Sequence, residues 1–350
     1  MMTKKTMHPA LRFLLRLLLV LLGTALLLTA FLYGVMYLLC KGPSPTAREL
    51  FVLSTGETSA IGFLPRLYLS EGEIAAIVEK RSAQPVESTD ASLITLRQEP
   101  EDTSAADEWG YVDEDGDGLI YVPVAGESFT GHMLIVLDPM RVVLGCVPES
   151  FHHRGYTLEE LVKTYDAVAG INGGDFLDPN GTGNGSTPSH AVVFKGEIYC
   201  AGNGSGGGFA GLDKDGVLHV GRFTKDELEA LEIRHGTSYG PVLVVNGEMV
   251  DPQALHSGVN PRTAIGQRSD GAILMLVIAG RQPNSIGATY VDLAKIMLKF
   301  GAVNACNLDG GSSSLMWLYD GYVNAPATLV GIRTIPTSFL VLKEGVRLDD

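Results

Sequence analysis

Short apolar runs separated by turn residues dominate the chain from Leu119 onward. Runs of this length that are bounded by Gly, Pro, Asn or Asp are typical of β-strands. The pattern predicts strands at 119–124, 132–137, 141–147, 167–171, 272–278, 302–308 and 337–342. It also predicts a hairpin in which 315–319 pairs with 322–323 through Asp320 and Gly321.

Three helices interrupt these strands. Thr157 and Thr224 are each followed three positions later by Glu, which is the capping-box signature of a helix N-terminus. Between Thr289 and Phe300 the apolar residues recur at helical spacing, and Gly301 ends that pattern.

Residues 271–309 therefore form a strand, a helix and a strand. A connection of this length predicts a crossover that leaves its two strands parallel and near neighbours. The ends of both strands would then meet the helix N-terminus at 287–289 on one sheet edge, where open sheets bind ligands and helix N-termini attract anions. The chain is thus predicted to have an α+β (mixed α/β) fold, with a mixed β-sheet, packed helices and one parallel crossover.

The N-terminus has a different pattern. Four basic residues precede an uncharged stretch from Leu17 to Leu39, which as a helix would span roughly 35 Å and could cross a bilayer. Positive flanks stay in the cytoplasm, so residues 1–16 are predicted to be cytoplasmic and 17–39 a transmembrane signal anchor, with the rest of the chain outside the cell membrane. A cleaved signal peptide is the alternative, but the stretch is long and no Ala-x-Ala site follows it.

Residues 40–107 are predicted to be a stalk and an acidic linker. The amphipathic segments 46–53 and 71–80 are expected to be helical, and 82–107 contains little that could be buried. A globular domain is then predicted over 108–345.

The net charge of the chain limits which molecules it can bind. The chain has a net charge of −14, and removing the five basic residues of 1–41 leaves −19 for the remainder. So acidic a domain is a poor candidate for binding nucleic acid or an anionic bilayer surface, and an anionic ligand would need a local basic site.

The four cysteines are widely spaced, so neither a disulfide framework nor a CxxC metal site is indicated, and one bridge or free thiols remain open. Nothing in the sequence indicates an oligomeric state.

An acidic loop carries Asp113, Asp115 and Asp117, with Gly118 after them, and resembles the start of a calcium loop. Its twelfth position is Val124 where a bidentate Glu is required, and no helices are predicted beside it. An ordinary acidic turn is favoured, calcium is the weaker alternative, and no cofactor is predicted.

The segment after the strand at 302–308 is the strongest candidate for chemistry. Asp309 is followed by Gly310, Gly311, Ser312 and Ser313, whose backbone amides and hydroxyls could form an anion cradle beside a carboxylate. The alternative is a tight turn in which the carboxylate only caps backbone amides.

A similar segment follows the strand at 167–171. It carries Asn172, Gly173, Gly174 and Asp175, so two carboxylates follow apolar strands in glycine-rich loops. Asn172 and the corresponding Asn307 could orient a sugar hydroxyl or a carboxylate, or could form Asx turns.

Basic residues offer partners for a phosphate. Guanidinium groups bind phosphate through two parallel hydrogen bonds, which makes Arg262 and Arg333 candidates, whereas a surface ion pair is favoured for Arg281. The histidines show no metal-ligand spacing, and no Gly-x-Ser-x-Gly elbow is present.

Taken together, the ordered motifs resemble the phosphodiester glycosidase family, in its membrane-anchored bacterial form. The resemblance covers about 130–343. Its motifs are Ile171–Phe176, Gly240–Gly247, Arg262–Gly266, Gly287–Ala294, Asn307–Ser313 and Gly331–Arg333. Two positions depart from the family pattern, since an aromatic often stands at the place of Asp175 and a third glycine at that of Ser312.

The resemblance implies hydrolysis of a sugar-1-phosphodiester or phosphate-linked envelope glycan at the outer cell surface. Asp309 would be base or nucleophile, Asp175 the second carboxylate, and Arg262 and Arg333 phosphate ligands, with Asn172, Asn307 and the glycine amides as donors. A phosphate leaving group needs little general-acid help. Two alternatives remain, a non-catalytic wall-glycan binding protein and a metal-dependent phosphodiesterase.

Overall fold

The computed structural model describes residues 8–58, 61–80, 88–96, 106–179, 183–199, 207–328 and 331–348. The strands in these ranges are β1 (Leu119–Ala125), β2 (Thr130–Val136), β3 (Val142–Cys146), β4 (Ala167–Asn172), β5 (Val192–Phe194), β6 (Glu197–Tyr199), β7 (Phe209–Asp213), β8 (Leu218–Gly221), β9 (Ile233–Ser238), β10 (Val242–Val245), β11 (Glu248–Met249), β12 (Arg262–Arg268), β13 (Ile273–Ile278), β14 (Ala302–Leu308), β15 (Met316–Leu318), β16 (Gly321–Tyr322) and β17 (Thr337–Leu342). The helices are α1 (Pro9–Lys41), α2 (Pro45–Gly56), α3 (Glu71–Val78), α4 (Leu158–Thr164), α5 (Lys225–Ala230) and α6 (Tyr290–Lys299).

A seven-stranded sheet in the order β1-β2-β13-β12-β14-β10-β11 forms the centre of the molecule. Successive strand residues point to opposite faces, so β13 supplies two apolar layers. Leu274 and Leu276 pack with Leu293 and Met297 of α6, whereas Met275 and its alternate neighbours pack toward the other two sheets. The helix predicted from 289 to 300 thus covers one face of this sheet, as its apolar spacing indicates.

The crossover prediction of two parallel strands that are near neighbours is confirmed, with one strand inserted between them. β12 lies between β13 and β14 and is antiparallel to both, so the two outer strands run parallel without pairing. All strand pairings among the described residues are antiparallel. As a result the ends of β13 and β14 share an edge with the start of β12, where Arg262 faces Ile278 and Thr263 faces Leu308.

Two five-stranded sheets complete the core, in the orders β16-β15-β4-β17-β3 and β6-β5-β9-β7-β8. The first contains the predicted hairpin and the predicted last strand. The second was not predicted, because β5 and β6 have only three residues each and lie in a glycine-rich part of the chain. The capping boxes at Thr157 and Thr224 are confirmed, and Thr289 and Ser70 form two more.

The helices predicted at 46–53 and 71–80 are present as α2 and α3, but they are not a free stalk. The N–H of Val259 donates to Ser54 Oγ at 2.8 Å, and a Cβ on Gly258 would lie 2.2 Å from the Ser54 nitrogen. Such a close backbone approach requires glycine. The C-terminal end of α2 is therefore packed directly on the β-domain.

The expectation that 82–107 contains little that could be buried is also wrong over the described part, 88–96 and 106–107. The N–H of Thr95 donates to Ser269 O at 2.7 Å, and Ile94 is buried. Asp107 forms an ion pair of 2.7 Å with Arg268, whose side chain is completely buried. The folded domain thus starts before residue 108. Its first part has no periodic sequence pattern and is held by single contacts, namely the buried side chain of Ile94 and the ion pair of Asp107.

Candidate active site

A cavity of about 610 Å³ opens at the sheet edge where β13 and β14 end and β12 begins. Nine predicted site residues line it, namely Asp175, Arg262, Arg281, Asp309, Gly310, Gly311, Ser312, Ser313 and Arg333. The walls also contain Glu57, Thr58, Tyr239 and Asn260. The ligand-binding edge predicted from the crossover is thus formed, although by three strands rather than two.

Asp309 follows β14 and is held in place by its neighbours. Its own N–H donates to Gly173 O at 3.0 Å, and its carboxylate accepts from the Gly310 N–H at 2.9 Å and from the Ser313 hydroxyl. Loss of hydration in the depth of the cavity raises the pKa of Asp309 to about 7, against the opposing effects of these donors and of Arg333. The nearby Asp175 raises the pKa further, so the two carboxylates act on each other.

Asp175 follows β4 and has a histidine partner. His190 Nδ1 lies 2.8 Å from Asp175 Oδ2, and the Ser189 hydroxyl also donates to the carboxylate. Burial raises the pKa of Asp175, while His190 and Ser189 lower it in part. The cavity thus holds two carboxylates in different environments, an arrangement that separates acid and base roles in many enzymes.

The glycine–serine loop is not the free amide cradle that the sequence suggested. The N–H of Gly310 donates to Asp309, and that of Gly311 donates to Pro261 O at 2.9 Å. Gly311 has a φ of +62°, which favours glycine, and a Cβ there would lie 3.3 Å from Arg281 Nη2, so that the guanidinium would have to shift slightly. The loop positions a carboxylate and leaves room for a guanidinium.

Arg281 is exposed, and its side chain lines the wall of the cavity. Its Nη2 donates to Thr58 Oγ1 at 3.0 Å, and no carboxylate within the described ranges pairs with it. Burial and the neighbouring charge of Arg262 lower the pKa of Arg281, the usual sign of a cation short of negative partners. Its backbone has a φ of +58°, and such strained positions are common at functional sites.

Arg333 lies on another wall of the cavity. Its Nη2 pairs with Asp178 Oδ1 at 2.6 Å, and its Nη1 lies 3.4 Å from Ser312 Oγ. The guanidinium carbon also lies 4.8 Å from the centre of the Phe176 ring. Arg281 and Arg333 thus approach neighbouring residues of the loop at 311–312.

Arg262 is more deeply engaged than a phosphate ligand would be. Its Nη2 forms a 2.6 Å ion pair with Glu57 and also donates to Gly258 O at 2.7 Å, while its Nε donates to Ala288 O. The guanidinium carbon lies 4.1 Å from the centre of the Tyr290 ring. Its charge is offset by Glu57, which leaves Arg281 as the cation with most capacity for an anionic ligand.

Asn172, Gly173 and Gly174 lie behind the cavity wall. Asn172 is completely buried, and its side chain donates to Asp309 O at 2.6 Å and accepts from the Thr263 hydroxyl at 2.7 Å. The Gly173 and Gly174 amides donate to the backbone and side-chain oxygens of Thr337. These three residues fix the backbone of Asp309 and do not line the space for a ligand.

Asn307 also differs from its prediction as a substrate donor. Its amide donates to Gly240 O at 2.9 Å and to Leu308 O at 2.8 Å, and the side chain is buried. The α6 N-terminus is likewise used internally, because the Tyr290 N–H donates to Ser257 Oγ and Thr289 caps the first turn. Neither feature is among the groups that line the cavity.

Three functional candidates were not identified from the sequence. Glu57 and Thr58 come from a segment predicted to be a stalk, and His190 was noted only for its lack of metal spacing. Tyr239 is a further new wall residue beside Glu57 and Thr58, and its burial raises its pKa well above the usual range, so the hydroxyl stays protonated as a donor. The sequence signal for His190 would have been the short spacing to Asp175 within one glycine-rich loop.

The acidic loop forms a compact group away from this cavity. Ligand atoms of Asp113, Asp115 and Asp117 lie within 4.8 Å of one another. Asp113 accepts from the Gly116 and Gly118 amides, as an ordinary turn would require. Elsewhere, Cys40 and Cys306 are buried thiols, and Cys200 lies outside the described residues.

Comparison with known sequences finds one matching family model and several relatives. The family model for phosphodiester glycosidases matches residues 165–342. The chain is 26% identical over 234 residues to N-acetylglucosamine-1-phosphodiester α-N-acetylglucosaminidase of Bos taurus, a match that covers 58% of this chain and 42% of that protein. It is 43% identical over 65 residues to the SPbeta prophage-derived uncharacterized protein YomE of Bacillus subtilis, or 19% of this chain and 10% of that protein. The chain therefore spans less than half the length of these curated relatives.

A solved structure supports the fold. It is the catalytic domain of zebrafish N-acetylglucosamine-1-phosphodiester α-N-acetylglucosaminidase, described as auto-inhibited by its pro-peptide. The likeness has a TM-score of 0.53 at 21% identity and covers 64% of this chain and 82% of that chain. At this identity the likeness shows the fold alone, and it confirms the α+β class.

Proposed function

Since the chain belongs to the phosphodiester glycosidase family, we propose that it hydrolyses sugar-1-phosphodiesters and releases a free sugar and a phosphomonoester. The observation that carries this proposal is the composition of one cavity. Two mutually interacting carboxylates, Asp175 and Asp309, lie in it together with Arg281 and Arg333. Hydrolysis at an anomeric carbon needs the carboxylates, and departure of a phosphate needs the cations.

In this reaction the bond between the anomeric carbon and the phosphate oxygen breaks. The electron pair leaves with the phosphate, and the water oxygen forms the new bond to the sugar. Asp309 in its ionised form takes the proton of the attacking water, and Asp175 stabilises the positive charge that develops on the sugar ring. Arg281 holds the departing phosphate, with Arg333 beside it.

The direct test is product analysis on a panel of sugar-1-phosphodiesters with the full chain in detergent. We expect free sugar and a phosphomonoester in equal amounts. Sugar phosphate with free alcohol would instead show a phosphodiesterase that cuts the P–O bond to the alcohol, and loss of turnover with a chelator would support the metal-dependent version. Binding without turnover would favour a glycan-binding protein.

The pH dependence of turnover follows from the carboxylate pair. Because the pKa of Asp309 is raised to about 7, the base is protonated below that value and ionised above it. We therefore expect kcat/KM to rise with pH through about 7, as a property of the coupled pair. A profile that falls above pH 7 would mean that this group acts as an acid.

His190 is expected to set the state of Asp175. His190→Ala removes a group that lowers the pKa of Asp175, so the acidic side of the pH profile should move to higher pH. His190→Asn keeps an N–H donor and should restore part of the original profile. An unchanged profile in the alanine variant would show that His190 does not position this carboxylate.

Arg281 is expected to bind the phosphate. Arg281→Ala should reduce kcat/KM by about tenfold to a hundredfold, since a hydrogen bond to a charged group contributes about 1.5–3 kcal/mol. Arg281→Lys keeps the charge and should lose less. The matched control is Arg347→Ala. Arg347 is an exposed arginine that pairs with Asp138 and does not line the cavity. Equal effects of the two alanine variants would contradict the assignment.

We also propose that α1 is a signal anchor that places the cavity outside the cell membrane. Among the described residues α1 is the one helix that is long and apolar enough to cross a membrane. The basic residues before it and the acidic domain after it support this orientation. Protease protection of the N-terminus, with digestion of the domain in intact cells, tests the topology.

A further inference from the structure

The segment between α1 and the cavity is fixed and compact. Arg48 Nη2 donates to Gly42 O at 3.2 Å, and Lys41 pairs with Glu73 at 2.8 Å. A buried cluster joins the end of α1 to the helices that follow, and its members are Cys40, Val52, Leu53, Leu69 and Ile77. The chain therefore leaves α1 in a defined direction.

Part of this segment lies against α1 itself. The Tyr68 hydroxyl donates to Tyr33 O at 3.1 Å, and the ring centres of the two tyrosines are 5.0 Å apart. Tyr33 precedes Lys41 by eight residues, which is about 12 Å along a helix. Tyr33 therefore lies about 9 Å inside the outer end of the span predicted at 17–39, in the outer leaflet and close to the interface where tyrosines are enriched.

The residues just before Tyr68 expose apolar side chains at this level. Ile61 is 41% exposed, and Phe63 and Leu67 are each 54% exposed. We call these three residues the platform. Leu67 directly precedes Tyr68, whose ring lies against Tyr33 and Tyr37 of α1.

The platform and the cavity wall belong to one turn. The Ile61 N–H donates to Thr58 O at 3.1 Å, and the Thr58 side chain lines the cavity and accepts from Arg281. Further apolar residues lie near the cavity. Ile332 lines it directly, Leu177 stands between the lining residues Phe176 and Asp178 and is 58% exposed, and Ile286, which is 57% exposed, accepts from the N–H of Arg281. The polar groups that line the cavity are thus bordered by apolar side chains.

We propose that the platform lies in the outer leaflet of the bilayer and that the cavity takes glycosyl phosphodiesters whose second ester group is a membrane lipid. This inference rests on the proposed function, because it names the alcohol side of that substrate. The sugar would enter toward Asp309, the phosphate would meet Arg281, and the lipid chain would leave across the apolar rim into the leaflet. The net charge of −19 beyond α1 excludes attraction to anionic lipid, so apolar contact must hold the platform at the membrane.

The location of the platform can be measured without catalysis. The full chain would be reconstituted in phosphatidylcholine nanodiscs, with or without bromine on the acyl chains, and the tryptophan fluorescence of Phe63→Trp compared with that of the wild type. We expect the added tryptophan to be quenched by the brominated lipid. Val346→Trp is the control, because Val346 is 45% exposed near the other end of the chain. Equal quenching of both, or of neither, would overturn the proposal.

The substrate class needs a second measurement. Methyl and hexadecyl phosphodiesters of the sugar identified by the product panel would be given to the reconstituted chain in vesicles. Phe63→Ser combined with Leu67→Ser should lower kcat/KM for the hexadecyl ester about tenfold and leave the methyl ester unaffected, since each tenfold change is 1.4 kcal/mol. Val346→Ser should change neither. An equal loss of kcat/KM on both esters, or no loss on either, would overturn the proposal. If the wild type hydrolysed neither ester, the proposed function would be contradicted. The quenching result would then still decide where the platform lies.

Discussion

Asp309→Asn is expected to lower kcat/KM by about a thousandfold or more, because it removes the group proposed as the general base. The same variant should be more stable than the wild type at pH 8. Loss of hydration in the cavity raises the pKa of Asp309 from 3.8 to about 7, so folding at high pH confines a charge that water would solvate better.

The sign of this effect depends on pH. Below about pH 4 the carboxyl is protonated in both the folded and the unfolded state, and the substitution should change little. Between pH 4 and 7 the folded state keeps a proton that the unfolded state has lost, so the wild type loses stability as pH rises. The raised pKa of Asp309 would lower the free energy of unfolding by roughly 4 kcal/mol at high pH, at about 1.4 kcal/mol per pKa unit. Because water in the cavity screens the charge, we expect a loss of roughly 2 kcal/mol.

Thermal unfolding of the purified chain at pH 4, 6 and 8 measures this difference. The control is Asp320→Asn, in a turn where the aspartate is exposed, and it should alter neither stability nor turnover. Retained activity in Asp309→Asn would reject the catalytic assignment. A stability gain that does not depend on pH would reject the buried-charge explanation.

Glu57→Ala is expected to have the largest effect on stability. It leaves the Arg262 guanidinium, whose side chain is only 4% exposed, without its carboxylate partner. Removing one partner of a buried ion pair costs about 3–5 kcal/mol. Since Arg262 packs under the cavity between Glu57 and Tyr290, we also expect kcat/KM to fall by about a hundredfold.

The matched control is Glu71→Ala, which removes one partner of an exposed pair with Arg66. Exposed pairs contribute about 0–1 kcal/mol, so this variant should unfold near the wild-type temperature. A Glu57→Ala chain that is more active than the wild type would contradict our view. In that case the end of α2 would block the cavity instead of completing its wall.

The features predicted correctly from the sequence are local ones. The strands at 302–308 and 337–342, the capping boxes, and α6 with its apolar face all depend on residues close together in the chain. The same holds for Asp309, whose position after a strand and before a glycine pair is visible in one segment. These features follow from hydrogen bonding and side-chain spacing within a few residues.

The incorrect parts depend on contacts between distant segments. Glu57 and Arg262 are separated by 205 positions, so no local pattern shows that the arginine already has a partner. The insertion of β12 between β13 and β14 likewise depends on sheet pairing rather than on local spacing. The surface ion pair expected for Arg281 is not found among the described residues for the same reason, because its place beside Gly311 arises only after the loop at 309–313 has folded.

The central claim is that the bond at the anomeric carbon is broken. Hydrolysis of a sugar-1-phosphodiester by the full chain in ¹⁸O-water would test it most directly, with mass analysis of both products. We expect the label in the free sugar and none in the phosphomonoester, and no labelled product with Asp309→Asn. Label in the phosphate would show attack at phosphorus and would contradict the account.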